Sequence, residues 1–303
     1  MRCLKPIKVN DQYFNCGHCM NCRINYTQQW SLRLIYELSK SDSASFLTLT
    51  YNNENLPADY GLHKKDVQDF MKRLRINMKR EFHEFAPKLK YYFCGEYGGI
   101  THRPHYHAIV FNLDCYSDKH RELCATSWDK CEPWFFDKSR GRQSAIQEVT
   151  PDDINYVTGY IQKKLSGDAG REAYGNNQPP FSLCSHGLGL DFCLQNSERL
   201  IENGWTYFKG HKIGLPKYFA DKLEIKRSDY IDKEPNKDAL KRSVERLWPI
   251  FKADMQRAGT WYPDNLKMLE RRFQLWYERR EYEYANQIFK DFEQRSKLKG
   301  AKL

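Results

Sequence analysis

The chain has 303 residues, a formal net charge of +10 and 15% aromatic residues, so a core of ordinary size is easily built. The beginning of the chain lacks the apolar stretch of a secretory signal, and no run approaches the ~18 apolar residues of a membrane span. A basic surface with many aromatics favours a nucleic-acid partner, although excess charge can also be merely solvating.

The segment 1–40 contains a cysteine cluster followed by a predicted helix. Cys16, Cys19 and Cys22 follow a C-x2-C-x2-C spacing, and Cys3 supplies a fourth thiol. Such spacings are typical of structural zinc, and the alternative is that these are reduced cysteines that pack in the interior. The ten cysteines of a chain this long indicate a reducing, intracellular setting.

Residues 41–167 are predicted to form the core domain. The predicted strands are 45–51, 89–99, 104–113 and 142–149, and the predicted helices are 64–82 and 150–167. This order predicts an α+β fold in which helices flank a largely antiparallel sheet, related to the ferredoxin-like or RRM-like arrangement. An extension over 168–230 and a charged, mainly helical region over 231–303 are predicted to follow; the latter is interpreted as an accessory or partner-binding region.

The helix predicted at 64–82 is amphipathic, with one apolar and one cationic face. Lys72, Arg73 and Arg75 lie on the cationic face. They could follow the phosphates of DNA, or form a solvated surface with no partner.

Two histidines alternate along the strand predicted at 104–113. His105 and His107 point to one face, and Tyr106 points to the other. Glu96 ends the preceding strand and lies beside the pair if the two strands are antiparallel. Two imidazoles and one carboxylate leave open positions on a catalytic ion and suit Mn²⁺ or Mg²⁺, although Zn²⁺ or Ni²⁺ could bind. The alternative is a pair of surface histidines on an edge strand.

The helix predicted at 150–167 carries two tyrosines on one face. Tyr156 and Tyr160 are spaced i, i+4, and Lys163 follows along that face. A tyrosine oxygen can attack phosphorus to give a phosphotyrosine, and a nearby lysine can offset the charge that develops. The alternative is that both tyrosines are ordinary packing residues.

Taken together, these motifs resemble replication initiation proteins of the HUH endonuclease superfamily, in particular those of Microviridae of the gokushovirus type. The resemblance is carried by SFLTLTY, by GEYGGITHRPHYHAIVF and by YVTGYIQKK, with CGHCMNCR and FSLCSHGLG in consistent order over roughly residues 1–220. It implies that Glu96, His105 and His107 hold the metal and that Tyr156 and Tyr160 are the nucleophiles.

The resemblance also implies a function. The protein would nick one strand of single-stranded or supercoiled replicative-form DNA at an origin, in the host bacterial cytoplasm. It would keep the 5′ phosphate on tyrosine, leave a 3′-OH for the host replication machinery and later rejoin the strand. Gly159 stands where the family pattern has a lysine, so Lys163 or Lys164 would assist at the phosphate.

Two other interpretations remain open. A non-catalytic, zinc-stabilised nucleic-acid-binding protein would leave the histidine, glutamate and tyrosine pattern as coincidence. A relaxase or transposase of the same superfamily would share the metal and tyrosine chemistry, but the histidines precede the tyrosines here, as in the replication proteins.

Overall fold

The computed structural model describes residues 3, 7–9, 12–17, 20–98, 101–163, 174–208, 210–225, 237–261, 268–269, 271–273 and 275–276. They fall into two compact units. One comprises Arg23–Ser197, and the other joins Met1–Cys22 to the described residues from Glu198 onward.

The described elements alternate between strands and helices. The strands are β1 (Ile7–Val9), β2 (Gln12–Phe14), β3 (Ala44–Leu49), β4 (Lys90–Tyr97), β5 (Pro104–Phe111), β6 (Ile146–Glu148), β7 (Phe181–Cys184), β8 (Trp205–Phe208) and β9 (His211–Gly214). The α-helices are α1 (Met20–Leu38), α2 (Lys64–Phe82), α3 (Asp118–Ser127), α4 (Pro151–Lys163), α5 (Leu190–Gln195), α6 (Ser197–Asn203), α7 (Lys217–Lys222) and α8 (Lys237–Arg257).

The Arg23–Ser197 unit is built on a five-stranded sheet in the order β6-β3-β5-β4-β7, with every pairing antiparallel. The predicted α+β class with an antiparallel sheet and flanking helices is confirmed. The fifth strand, β7, comes from the stretch that the sequence pattern assigns to the extension. β5 lies at the centre of the sheet, so its side chains are covered on both faces.

One face of the sheet is covered by α2 and is called here the α2 face. Tyr106, Ala108 and Val110 of β5 point to this face and are fully buried against the α2 stripe. The bounds of α2 agree with the prediction, and its buried residues are Val67, Phe70, Met71, Leu74 and Met78. The i, i+3, i+4 spacing of these apolar residues therefore forms the helix and fixes which side it buries.

The opposite face, called here the α4 face, is covered by α1 and α4. Ile109 and Phe111 of β5 pack there against Leu34 of α1 and against Ile154 and Val157 of α4. His105 and His107 alternate with Tyr106 and therefore lie on this same face. Its polar and apolar side chains thus occupy different parts of one strand.

The start of α4 is fixed by a capping box. The backbone N–H of Thr150 donates to Asp153 Oδ2 over 2.8 Å, and the N–H of Asp153 donates to Thr150 Oγ1 over 3.3 Å. Pro151 at the first helical position has no N–H to satisfy, so it suits the site. The predicted cap and start of this helix are confirmed.

The second unit contains the hairpins β1–β2 and β8–β9, and α8. An apolar cluster forms around Phe251 of α8, Leu269 and Phe273. Within the described parts of the chain, no helix is long and apolar enough to cross a bilayer.

Candidate metal centre and tyrosine helix

Three side chains at one end of the β4–β5 hairpin form a compact donor set. Glu96 lies directly opposite His105 in the antiparallel register, and His107 is two residues further along β5. Glu96 Oε1 lies 2.7 Å from His105 Nε2 and 3.4 Å from His107 Nε2. One ligand atom from each of the three residues lies within 4.8 Å of the other two. The predicted proximity of this glutamate to the histidine pair follows from the hairpin register.

Each imidazole is also held at its other nitrogen. His105 Nδ1 lies 3.2 Å from the backbone carbonyl of Arg103, and His107 Nδ1 lies 3.1 Å from Thr48 Oγ1. A carbonyl oxygen can only accept, so His105 donates from Nδ1 and directs Nε2 toward Glu96. Outer contacts of this kind fix the ring orientation of metal-binding histidines.

Burial and charge act in opposite directions on Glu96. Removal from water alone would raise the pKa of its carboxyl group. Hydrogen bonds and charge from His105 and His107 outweigh that effect and lower the pKa to about 2. The carboxylate is therefore ionised at neutral pH and available to a cation.

The donor set fits a hard divalent ion. Ligands about 2.1 Å from an octahedral ion and at right angles to one another lie about 3 Å apart, which is close to both Glu96–His distances. His107 is only 2% exposed and stands on the central strand, unlike a histidine on a solvated edge. The group is therefore one that could bind a metal.

The first of the two α4 tyrosines lies against this donor set. The ring of Tyr156 meets the ring of His107 edge to face, with centroids 5.2 Å apart, and that of Phe46 at 6.2 Å. Tyr156 is 8% exposed and belongs to the cluster on the α4 face. It therefore packs and also touches a candidate ligand.

The remaining predicted residues of this helix are described only in part. The backbones of Tyr160 and Lys163 lie in α4, whereas their side chains and the whole of Lys164 lie outside the described residues. Gly159, where the family pattern has lysine, is buried.

Comparisons with known proteins agree with this arrangement. The family described as replication-associated protein ORF2 matches residues 44–165, a range that includes the sheet strands β3 to β6, the donor set and α4. The replication-associated protein ORF2 of Spiroplasma virus 4 is 30% identical over 255 residues, covering 78% of this chain and 76% of the relative. The chain belongs to this family of phage replication-associated proteins.

Two further members of the family align over long stretches. The replication-associated protein VP4 of Bdellovibrio phage phiMH2K is 28% identical over 75% of this chain and 77% of the relative. The replication-associated protein ORF4 of Chlamydia phage 1 is 26% identical over 69% of this chain and 53% of the relative. The predicted resemblance to replication proteins of Microviridae is confirmed. No solved structure matches this chain significantly.

The cationic residues of α2 lie away from the donor set. This helix covers the α2 face, whereas the donor set lies on the α4 face. Arg73 donates to the carbonyl of Ser127 and pairs with Asp129 over 2.9 Å, and Arg75 donates to a backbone carbonyl just before β4. Lys72 is exposed. A DNA-binding role for these three side chains stays a prediction.

The cysteine cluster is brought together in the other unit. Sulfur atoms of Cys3, Cys16 and Cys22 all lie within 4.8 Å of one another. Cys19, the remaining member of the predicted set, lies outside the described residues.

Sequence reasoning missed the residues that support the site. Thr48 holds His107, and Ser31 of α1 lies 2.8 Å, oxygen to oxygen, from Thr158 of α4, which ties these two helices together. The signal was present, because both Ser31 and Thr158 fall among apolar positions of buried helix faces. A hydroxyl in such a place needs a partner.

Proposed function

We propose that this protein is a rolling-circle replication initiator that nicks one DNA strand by tyrosine attack and later rejoins it. The observation that carries the proposal is the contact between Tyr156 and His107, because it joins the tyrosine helix to the Glu96–His105–His107 set on one sheet face. Membership in the phage replication-associated family supports a role at the start of replication.

Glu96, His105 and His107 would hold Mn²⁺ or Mg²⁺. When bound, the ion would supply charge that polarises the scissile phosphodiester. The chain's own contribution is orientation: Arg103 and Thr48 fix the two rings, and the hairpin register fixes the carboxylate. A centre built on the middle strand of a sheet is held more rigidly than one built on loops.

The covalent step would use a tyrosine of α4. Its phenol oxygen attacks phosphorus as the P–O3′ bond breaks, so the phenol loses a proton and the departing 3′ oxygen gains one. The products are a 5′-phosphotyrosine and a free 3′-OH. The number of phosphoester bonds is unchanged, so the reverse attack by a 3′-OH rejoins the strand. Lys163, or Lys164, would offset negative charge at the phosphate.

The two tyrosines occupy different levels of the helix. Strand β6 places Glu148 level with Val110, so α4 starts beside the end of β5 and runs back toward its beginning, reaching His107 at Tyr156. One helical turn moves the backbone of Tyr160 about 6 Å further, close to the ~7 Å between successive same-face residues of a strand. Tyr160 is thereby level with His105 and is the nucleophile we assign to the first attack.

The substrate would be single-stranded DNA or a supercoiled replicative-form origin in the host bacterial cytoplasm. The free 3′-OH would serve the host replication machinery as a primer. A net charge of +10 favours a polyanionic substrate. Lys72, Arg73 and Arg75 would contact DNA only where it passes the α2 face.

The test is a covalent capture experiment with the full chain. Purified protein is mixed with a single-stranded DNA library of randomised sequence, with Mn²⁺ or with EDTA, and adducts are separated on a denaturing gel. We expect an adduct that needs the metal and is absent from the Tyr156→Phe, Tyr160→Phe double variant. Tyr116→Phe, which alters an exposed tyrosine of the same unit, should retain the adduct.

Single variants separate the roles of the two tyrosines. Tyr160→Phe should lose first-strand adduct more strongly than Tyr156→Phe. An adduct that persists in the double variant would overturn the nucleophile assignment. DNA retained on a native gel without any adduct would favour the non-catalytic binding protein, whereas equal effects of the single variants would contradict only the assignment of Tyr160 to the first attack.

A further inference from the structure

A second donor set lies outside the proposed nicking site and is made entirely of sulfur. Cys3 precedes β1, Cys16 follows β2, and Cys22 lies in the first turn of α1. The sulfurs of Cys16 and Cys22 are 4.0 Å apart, and the backbone N–H of Cys16 donates to Cys3 Sγ over 3.3 Å. A hairpin and a helix start thus bring together thiols that are up to 19 positions apart in sequence.

The spacing of these sulfurs fits one ion. Zinc–sulfur bonds of about 2.3 Å at tetrahedral angles place thiolates about 3.8 Å apart, close to the Cys16–Cys22 distance. An iron–sulfur cubane would bind each thiolate to a different iron and spread the sulfurs further. One disulfide would use only two of the three thiols. The N–H donated to Cys3 Sγ favours the thiolate form that a metal requires.

The surrounding structure is too small to order these thiols by apolar packing alone. Strands β1 and β2 have three residues each, and their side chains Ile7, Val9 and Phe14 are about half exposed. An isolated two-stranded hairpin is marginally stable in water. Small elements of this kind commonly rely on a metal or a cross-link for their stability.

Cysteines elsewhere in the chain provide a contrast. Cys94, Cys115, Cys124 and Cys131 lie within hydrophobic clusters of the other unit. Burial raises the pKa of the Cys131 thiol to about 12, so it stays protonated. Among the described residues, the only thiols that converge on a common point are Cys3, Cys16 and Cys22.

We propose that Cys3, Cys16 and Cys22 bind a structural Zn²⁺ ion, with Cys19 as the fourth thiolate. Cys19 is assigned from its C-x2-C-x2-C spacing, which is typical of zinc ligands. Four thiolates leave no open position, so the site is closed and its role is to hold the N-terminal hairpin against the start of α1. It is independent of the nicking chemistry.

The first test measures metal in the full-length protein, purified without chelator and desalted. Elemental analysis should find about one zinc ion per chain. Zinc content should fall at least about tenfold in Cys16→Ser and in Cys19→Ser. Cys184→Ser, which changes an exposed cysteine, should keep its zinc. The His105→Ala, His107→Ala double variant should also keep it, because its lost donors belong to the other site.

A second measurement needs no cysteine variant and therefore does not depend on their folding. Cobalt exchanged into the wild-type protein should give thiolate charge-transfer bands and the strong ligand-field bands of a tetrahedral site. A thiol-specific mercurial should release zinc from the wild-type protein. Zinc lost in the histidine double variant but kept in Cys16→Ser would overturn the proposal. So would iron in place of zinc, a Cys16–Cys22 disulfide, or a folded protein without metal.

Discussion

The two faces of the central sheet are built from the same strands but differ in what they bury. On the α2 face, β5 contributes Tyr106, Ala108 and Val110 to a continuous apolar cluster. On the α4 face, Ile109 and Phe111 are packed in the same way, but the strand continues into His107 and His105. Apolar packing therefore extends along the whole strand on one face and stops halfway on the other.

The difference separates stability from chemistry within a single strand. The polar group on the α2 face, the Tyr106 hydroxyl, is used up by its neighbours: it lies 2.8 Å from Tyr51 Oη and accepts the N–H of His63. On the α4 face, by contrast, Nε2 of both His105 and His107 is directed toward one carboxylate. We therefore expect variants on the α2 face to alter unfolding and those at the polar end of the α4 face to alter strand cleavage.

The largest expected effect is on the α2 face. Phe70 is fully buried, with ring contacts to Phe93 and Trp128. Phe70→Ala should lower the free energy of unfolding by about 3–5 kcal/mol, because it opens a cavity. Ile76→Ala, at an exposed position of the same helix, should change it by less than about 0.5 kcal/mol in denaturant titrations. Equal effects of the two variants would contradict the assigned core.

Neighbouring residues of β5 provide the sharpest test of the two faces. His107→Ala should reduce adduct yield at least about 100-fold, since it removes a metal ligand. Tyr106→Phe, one position away but on the α2 face, should retain most of the adduct. Both yields are measured against the fraction of folded protein by circular dichroism. A loss of adduct in Tyr106→Phe as large as in His107→Ala would show that the faces are not separated.

Alkaline pH should weaken the α2 face through its buried phenols. Burial raises the pKa of Tyr106 from 10.0 to about 12, and the pKa of Tyr51 is raised further by burial and by its neighbours. The neutral phenol is favoured in the fold, so its contribution is fully present below pH 10 and is lost as pH rises toward about 12. The loss reaches about 1.4 kcal/mol per pH unit for Tyr106. Denaturant titrations at about pH 8 and about pH 11 should show a smaller decrease for Tyr106→Phe than for the wild type.

The smallest expected effect concerns the start of the tyrosine helix. Thr150→Ala removes the side-chain acceptor of the α4 cap and should cost about 1 kcal/mol. Thr150→Ser keeps a hydroxyl and should be close to the wild type in thermal unfolding. If the alanine and serine variants unfold alike, the hydroxyl does not contribute to the stability of α4.

Local patterns were enough to predict much of the fold and of the candidate site. The apolar period of α2 predicts its bounds and its buried residues, and Thr150 with Asp153 predicts the start of α4. Glu96 could be assigned to the histidine pair because a short hairpin connection forces antiparallel register. Each of these inferences depends on residues close in sequence.

Features that depend on distant pairing were not predictable in the same way. β3 pairs with β5 across about 60 intervening positions and makes β5 central, so His107 becomes buried and Thr48 reaches it. β7 has four residues, too few for a periodic signal, and it joins the sheet only through its pairing with β4. The partner of a strand depends on long-range contacts, which periodicity does not report.

The most direct test of the polar end of the α4 face is to locate the DNA on the protein. Adduct formed with Mn²⁺ is digested with trypsin and nuclease, and the modified peptide is sequenced by mass spectrometry. We expect a nucleotide on the tryptic peptide 143–163, which contains both Tyr156 and Tyr160, with Tyr160 labelled first. A nucleotide attached to any other peptide, or an equal yield in EDTA, would contradict the assignment of this face as the catalytic centre.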